Sequence, residues 1–182
     1  MMYYLKLGII LFIFCAVASG ILAYINTLTA PVIAERKAKE EVATREALIP
    51  GATFTEVQSS SGDKYFVAKD PATDEILGYT FIAAEIGYSS TVQTMVGVDK
   101  DFKVLAVKVI DQAETPGLGA NCTNDSFSAQ YSGMTLENLY VDKDGGAVVS
   151  LSGATITSRC ITNSIRNSIH NVQTDIVAGG AQ

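Results

Sequence analysis

Histidine is nearly absent from this sequence, clustered positive charge is missing, and cysteine never recurs at metal-binding spacing. The single histidine, His170, sits on a helical pattern near the C-terminus, where a surface or packing role outweighs a metal one. The three cysteines make no disulfide framework. Cys15 lies inside an apolar run, and Cys122 and Cys160 are a distant pair read as free thiols. Without a CxxC spacing, zinc or iron–sulfur ligation by this chain alone has no support. Lysine and arginine together number 13 against 19 acidic residues, a net charge of −6, which argues against a nucleic-acid partner because phosphate neutralisation needs a clustered basic surface. The densest basic run, Arg36, Lys37 and Lys39, alternates with Glu35, Glu40 and Glu41 and reads as a solvated helix face. Repeats and low-complexity tracts are missing too, and no set of base, nucleophile and metal ligands forms a complete catalytic centre.

What is there begins with a long apolar run. Leu7 to Ile25 reads LGIILFIFCAVASGILAYI, with no charge between Lys6 and Glu35. A bilayer core needs about 20 apolar residues in a helix, and this stretch meets that length. A cleavable signal peptide is the competing reading, since Lys6 is basic and Ala16-Val17-Ala18 precedes Ser19 like a cleavage site. The apolar run continues past that site to Ile25, which favours a retained anchor. Residues 1–28 are therefore expected to be a transmembrane anchor, 29–50 a stalk helix and 51–182 the soluble domain. Thr29-Ala30-Pro31 reads as the stalk's start, with Thr able to cap and Pro tolerated in the first turn. Orientation stays open from composition. One Lys and the amine precede the anchor, while Arg36, Lys37, Lys39 and Arg45 follow it, so a literal positive-inside count opposes export.

Beyond Pro50-Gly51 the pattern changes to strands: 52–58, 64–69, 76–86, 91–98 and 104–111, separated by turn material such as SSSGD, DPATDE and DKDF. Connections this short imply antiparallel neighbours. Residues 124–131 read as a short helix, and Ile161, Ile165, Ile169, Val172 and Ile176 mark an amphipathic C-terminal helix. The fold class expected is α+β, an antiparallel sheet flanked by helices on an N-terminal transmembrane helix.

Two glycine-bearing loops carry the chemistry. Ser152-Gly153-Ala154-Thr155-Ile156-Thr157-Ser158 stands directly before the last helix. Thr157 or Ser158 can cap that helix, and a helix N-terminus offers unbonded N–H groups to an anion. Gly153 and Ala154 keep bulk away, and four hydroxyls surround the turn. Taken alone, a small-residue turn with a hydroxyl cap explains the same pattern. Glu114-Thr115-Pro116-Gly117-Leu118-Gly119 follows the last strand and reads either as a Pro-Gly turn or as a thin wall against a flat ring. A carboxylate suits phosphate badly, so Glu114 is expected to bond backbone amides instead.

The anchor, the stalk, Gly87-Tyr88-Ser89, the strand ending VGVDKDFKVLAVKVI, ETPGLG and SGATITS together cover almost the whole chain. In this order they resemble the FMN-binding domain family, in particular the G subunit of the Rnf ion-translocating ferredoxin:NAD oxidoreductase. They are similar also to the C subunit of the sodium-translocating NADH:quinone oxidoreductase. The resemblance implies FMN held covalently through a phosphoester to Thr155, with Ser152, Gly153, Ala154, Thr157 and Ser158 around the phosphate and Glu114, Thr115, Gly117, Leu118 and Gly119 along the flavin. Thr157 is the alternative acceptor. Val149 departs from the pattern, standing where relatives carry Asp three residues before Ser152. Asp142 and Asp144 lie out of register to replace it. The resemblance further implies a flavin transferase during maturation, other subunits of an Rnf-type complex as partners, and a domain on the periplasmic or outer side of a bacterial plasma membrane. It makes the chain an electron-transfer subunit of a translocase with no catalytic or metal residues of its own. A membrane-tethered domain holding FMN non-covalently, as a redox or ligand sensor, is the alternative.

Overall fold

A computed structural model describes residues 2–59 and 64–179. One helix, α1 (Met2–Leu48), precedes a five-stranded sheet of β1 (Thr53–Gln58), β2 (Lys64–Lys69), β3 (Ile76–Ile86), β4 (Thr91–Asp99) and β5 (Val104–Asp111). The short helix α2 (Asp125–Ser128) and the long α3 (Thr155–Gly179) complete the regular elements. The strands pair in sequence order, every neighbour antiparallel. The expected α+β class is what the chain adopts.

The expected break at Thr29 is absent. Pro31 lies inside α1, and the Thr29 hydroxyl turns back to the Ile25 carbonyl at 3.0 Å instead of capping a new helix. The Thr27 hydroxyl likewise donates to Tyr24 O at 2.7 Å. Back-bonding of this kind lets a hydroxyl residue sit inside a helix, and a proline there removes one backbone bond without ending the element. Compact units divide after Val42. In the first unit, every residue from Met2 to Glu40 is exposed, and over the charge-free run from Leu7 to Ala34 the surface of α1 is mainly apolar. This is the one helix among the described residues long and apolar enough to cross a membrane.

The second unit is built around the sheet. On one face Tyr79, Phe81, Ala83, Val92, Val96, Val98 and Val104 form one core with Ile161, Ile165, Ile169 and Val172 of α3, the alternation of the strands matching the three-to-four spacing of the helix. On the other face Met95 and Ala68 are covered by Leu48 and Ile49, at the end of α1. Arg45 completes that cover, its guanidinium 3.4 Å from the centroid of the Phe66 ring. Because both faces of β4 are covered, it is buried almost throughout.

Candidate functional site

Helix α3 begins at Thr155, earlier than a cap at Thr157 or Ser158 allows. Ser158 N–H already bonds Ala154 O at 3.1 Å, so both hydroxyl residues lie within the helix and the expected cap is overturned. Their hydroxyls are used sideways. Ser158 Oγ donates to Ala154 O at 3.1 Å and accepts from Leu151 N–H at 2.9 Å. Thr157 Oγ1 donates to Glu114 Oε2 at 2.7 Å. The residue preceding the helix, Ala154, has no side-chain oxygen. The N–H groups of Thr155, Ile156 and Thr157 therefore face outward with no carbonyl of their own helix to bond. Gly153 turns the chain into the helix at φ +72°, a left-handed conformation that costs glycine nothing.

Glu114 is the centre of the second loop. Its carboxylate is buried and accepts from the N–H groups of Ser89 at 2.9 Å, Ser90 at 3.0 Å and Tyr88 at 3.3 Å, besides the Thr157 hydroxyl. The reading that it bonds backbone amides is what the geometry shows. Burial pushes its pKa up, but the bonds from Ser89, Thr157, Ser90 and Tyr88 outweigh that and hold the carboxyl below its ordinary value. The rest of the loop closes on itself: Leu118 N–H and Ala120 N–H both bond Thr115 O, at 3.1 and 3.2 Å, and Gly117 takes φ +78°.

These segments enclose a cavity of about 570 Å³ lined by Tyr88, Glu114, Thr115, Leu118, Gly119, Gly153, Ala154, Thr155, Ile156 and Thr157. Small-molecule sites run to roughly 300–1,000 Å³. Of the residues expected around a ligand, Glu114, Thr115, Leu118, Gly119, Gly153, Ala154, Thr155 and Thr157 line it. Ser152 and Gly117 are exposed outside it, and Ser158 is buried beneath. Tyr88 and Ile156 were not among the expected site residues. Tyr88 is 71 % exposed, and the Gly87-Tyr88-Ser89 turn was its only signal. No lysine or arginine lines the cavity, so an anion there is met by the amides at the start of α3 and by the positive end of that helix. Thr155 is partly exposed at this point. The two thiols nearby are quiet. Burial pushes Cys122 up to about 11, and burial with the charges of Glu85 and Glu114 pushes Cys160 up to about 12, so both stay protonated.

Upstream of the loop, Val149 is 62 % exposed, and its N–H bonds Gln130 Oε1 at 2.8 Å. Asp142 reaches the adjacent residue, accepting from Ser150 N–H at 3.0 Å. Asp144 holds Arg159 through two bonds of 2.7 Å.

Residues 87–170 match the family model of the FMN-binding domain, and residues 4–48 that of the RnfG N-terminal region. The G subunit of the proton-translocating ferredoxin:NAD(+) oxidoreductase complex of Clostridium ljungdahlii is 30 % identical, over 88 % of this chain and 86 % of that protein. The G subunit of the Na(+)-translocating ferredoxin:NAD(+) oxidoreductase complex of Acetobacterium woodii is also 30 % identical, over 92 % of this chain and 91 % of that protein. Among solved structures, the C subunit of the Na(+)-translocating NADH-quinone reductase of Parabacteroides distasonis superposes with a TM-score of 0.52 at 25 % identity. That match covers 63 % of this chain and 62 % of that one.

Proposed function

The chain belongs to the family of G subunits of ion-translocating ferredoxin:NAD(+) oxidoreductase complexes, and from that premise we propose that it carries one FMN as a phosphoester on Thr155. It is an electron-transfer subunit of such an oxidoreductase, a membrane protein with an FMN-binding domain and with the complex's other subunits as its partners. Bound FMN supplies the electron chemistry, and the protein supplies binding and orientation.

One observation carries the attachment site. Of the three hydroxyls at the start of α3, Thr157 is 1 % and Ser158 0 % exposed, each already hydrogen-bonded, while Thr155 lines the cavity and is partly exposed. Thr157 as alternative acceptor is therefore disfavoured by its burial and its bond to Glu114. The free amides of Thr155, Ile156 and Thr157 suit phosphate oxygens, and Gly153 and Ala154 keep bulk away from a cavity that Tyr88 and Leu118 also line. Covalent attachment suits a domain on the periplasmic or outer side of the membrane, where free FMN is scarce. A flavin transferase then acts on this chain as its substrate, and a partly exposed Thr155 is consistent with access by a second enzyme.

The test is a denaturing gel of the complex purified from membranes. Flavin fluorescence under ultraviolet light is expected at the band of this chain, lost in Thr155→Val and kept in Thr157→Val. Fluorescence that persists in Thr155→Val overturns the attachment site. A native protein that is yellow but loses its flavin on denaturation replaces the ester with non-covalent binding.

A further inference from the structure

We propose that Glu114 is a positioning residue that makes no bond to the flavin, and that through Thr157 it locks the 87–90 turn and helix α3 into one frame around the ring. The inference rests on the reading of the cavity as a flavin site.

The carboxylate is fully used by the protein. Oε1 accepts Ser89 N–H at 2.9 Å, Ser90 N–H at 3.0 Å and the Ser90 hydroxyl at 3.4 Å. Oε2 accepts the Thr157 hydroxyl at 2.7 Å and Tyr88 N–H at 3.3 Å. An ionised carboxylate offers about four lone-pair sites, so these donors leave none for a ligand N–H. Its partners come from separate parts of the chain, and those parts also wall the cavity: Tyr88 on one side and Thr155 to Thr157 on another, with Glu114's own loop contributing Thr115, Leu118 and Gly119.

Space around the group is reserved for it. A Cβ added to Gly87 would stand 2.7 Å from Glu114 Oε1. One added to Gly119 would stand 2.7 Å from both Glu114 Oε2 and Thr157 Oγ1. The glycine that ends ETPGLG is thus required by the carboxylate, not by a ring lying on it. The 87–90 turn has only one backbone closure of its own, Gly87 N–H to Ser90 O at 2.8 Å. The position of exposed Tyr88 over the cavity is therefore set by the carboxylate beneath it.

Thr157 gives the cleanest test, because Val keeps its shape and Ser keeps its hydroxyl. In the purified complex, Thr157→Val and Glu114→Gln are expected to retain flavin on Thr155 while the visible circular dichroism of the flavin shifts. In the same samples, amides 88–90 are expected to exchange at least about tenfold faster, the factor one charge-assisted hydrogen bond supplies. Thr157→Ser is expected to restore both. An unshifted flavin spectrum and unaccelerated amides in Thr157→Val overturn the proposal, as does a Thr157→Ser variant that behaves like Thr157→Val. Should Glu114→Gln fail to fold, the two Thr157 variants decide alone. If the wild-type chain holds no flavin, the functional reading fails by itself. Amide exchange in Thr157→Val then judges the frame, and unaccelerated exchange sinks it.

Discussion

Thr155 and Thr157 are the same amino acid two positions apart, yet one hydroxyl is open to a ligand and the other is committed to a carboxylate. Burial separates them, and the sequence does not record burial. It does record the small residues that permit it, and it was enough to place Glu114 among backbone amides, since a carboxylate suits a phosphate badly. What it could not give was the alignment of a turn at 87–90 with a helix at 155, which depends on two non-local approaches. The charge state of Glu114 follows from those approaches and yields a prediction. Its folded pKa is held below the ordinary carboxylate value, so its contribution to stability is present above the unfolded value of about 4.3 and is lost as pH falls through the folded one. Thermal unfolding should show wild type above Glu114→Gln at pH 7 by about 1–3 kcal/mol. That gap should shrink progressively as the pH falls below the unfolded value. A gap equal at pH 7 and pH 3 would mean the charge is idle. The glycines give a second comparison. Gly119→Ala is expected to cost about 1–3 kcal/mol by overpacking against Glu114 and Thr157. Gly117→Ala, at φ +78° but in open space, is expected to cost about 1 kcal/mol from backbone conformation alone. Denaturant midpoints of the two variants check the order.

At the scale of elements, strands and helices were legible to different degrees for identifiable reasons. β3 and β5 begin and end where turn residues bracket them, so Ile76–Ile86 and Val104–Asp111 were readable to the residue, as was Lys64–Lys69, although the SSSGD turn expected before it lies, from Ser60 to Asp63, outside the described residues. The stretch at 124–131 is a short α-helix, Asp125–Ser128, continued as a tighter 3₁₀ turn, Ala129–Tyr131. Phe127 and Tyr131 meet edge to face across it at 5.6 Å. α1 was misread as two pieces because Pro in a first turn and Pro inside a helix look alike locally. α3 was misjudged at its start, because hydroxyl residues that bond sideways resemble caps. Its buried face was unambiguous. Ile165 is 0 % exposed at the centre of that face, and Ile165→Ala is expected to cost about 2–5 kcal/mol through lost burial and a residual cavity. Tyr131 bonds Thr162 at 2.9 Å beneath the same helix. Thr162 also bonds Ser158 O at 2.8 Å, so removing the phenol leaves that hydroxyl satisfied. Tyr131→Phe should therefore cost only about 1 kcal/mol. Urea unfolding of the pair tests whether the core is held by the isoleucine stripe or by the buried hydroxyls.

For the whole molecule, the boundary between membrane anchor and soluble domain matters more than the secondary structure suggests. Composition changes at Pro50-Gly51, and a soluble domain beginning at residue 51 was the natural expectation. Packing draws the line elsewhere. Thr44, Arg45, Leu48 and Ile49 are buried, and the compact unit that contains the sheet begins at Ala43. Leu48 and Ile49 cover Met95 and Ala68, and Leu48 lies so close to β4 that a Cβ on Gly97 would meet its own Cβ at 3.1 Å. Arg45 stacks on Phe66, an interaction of about 0.5–2 kcal/mol. A chain beginning at residue 43 keeps this layer, and one beginning at residue 52 strips it from the sheet's second face. Losing two large aliphatic side chains and the stacked guanidinium amounts to several kcal/mol. For a domain of this size that lowers the melting temperature by on the order of 10 °C. It also exposes Met95 and its neighbours as a contiguous apolar patch, which favours self-association. The cavity is lined entirely from residues 88–157 and is present in both chains, so any difference between them comes from stability. Scanning calorimetry and light scattering of 43–182 against 52–182 make the comparison. Equal melting temperatures and equal monomer content would show that the last turn of α1 contributes nothing to the domain and would return the boundary to Pro50.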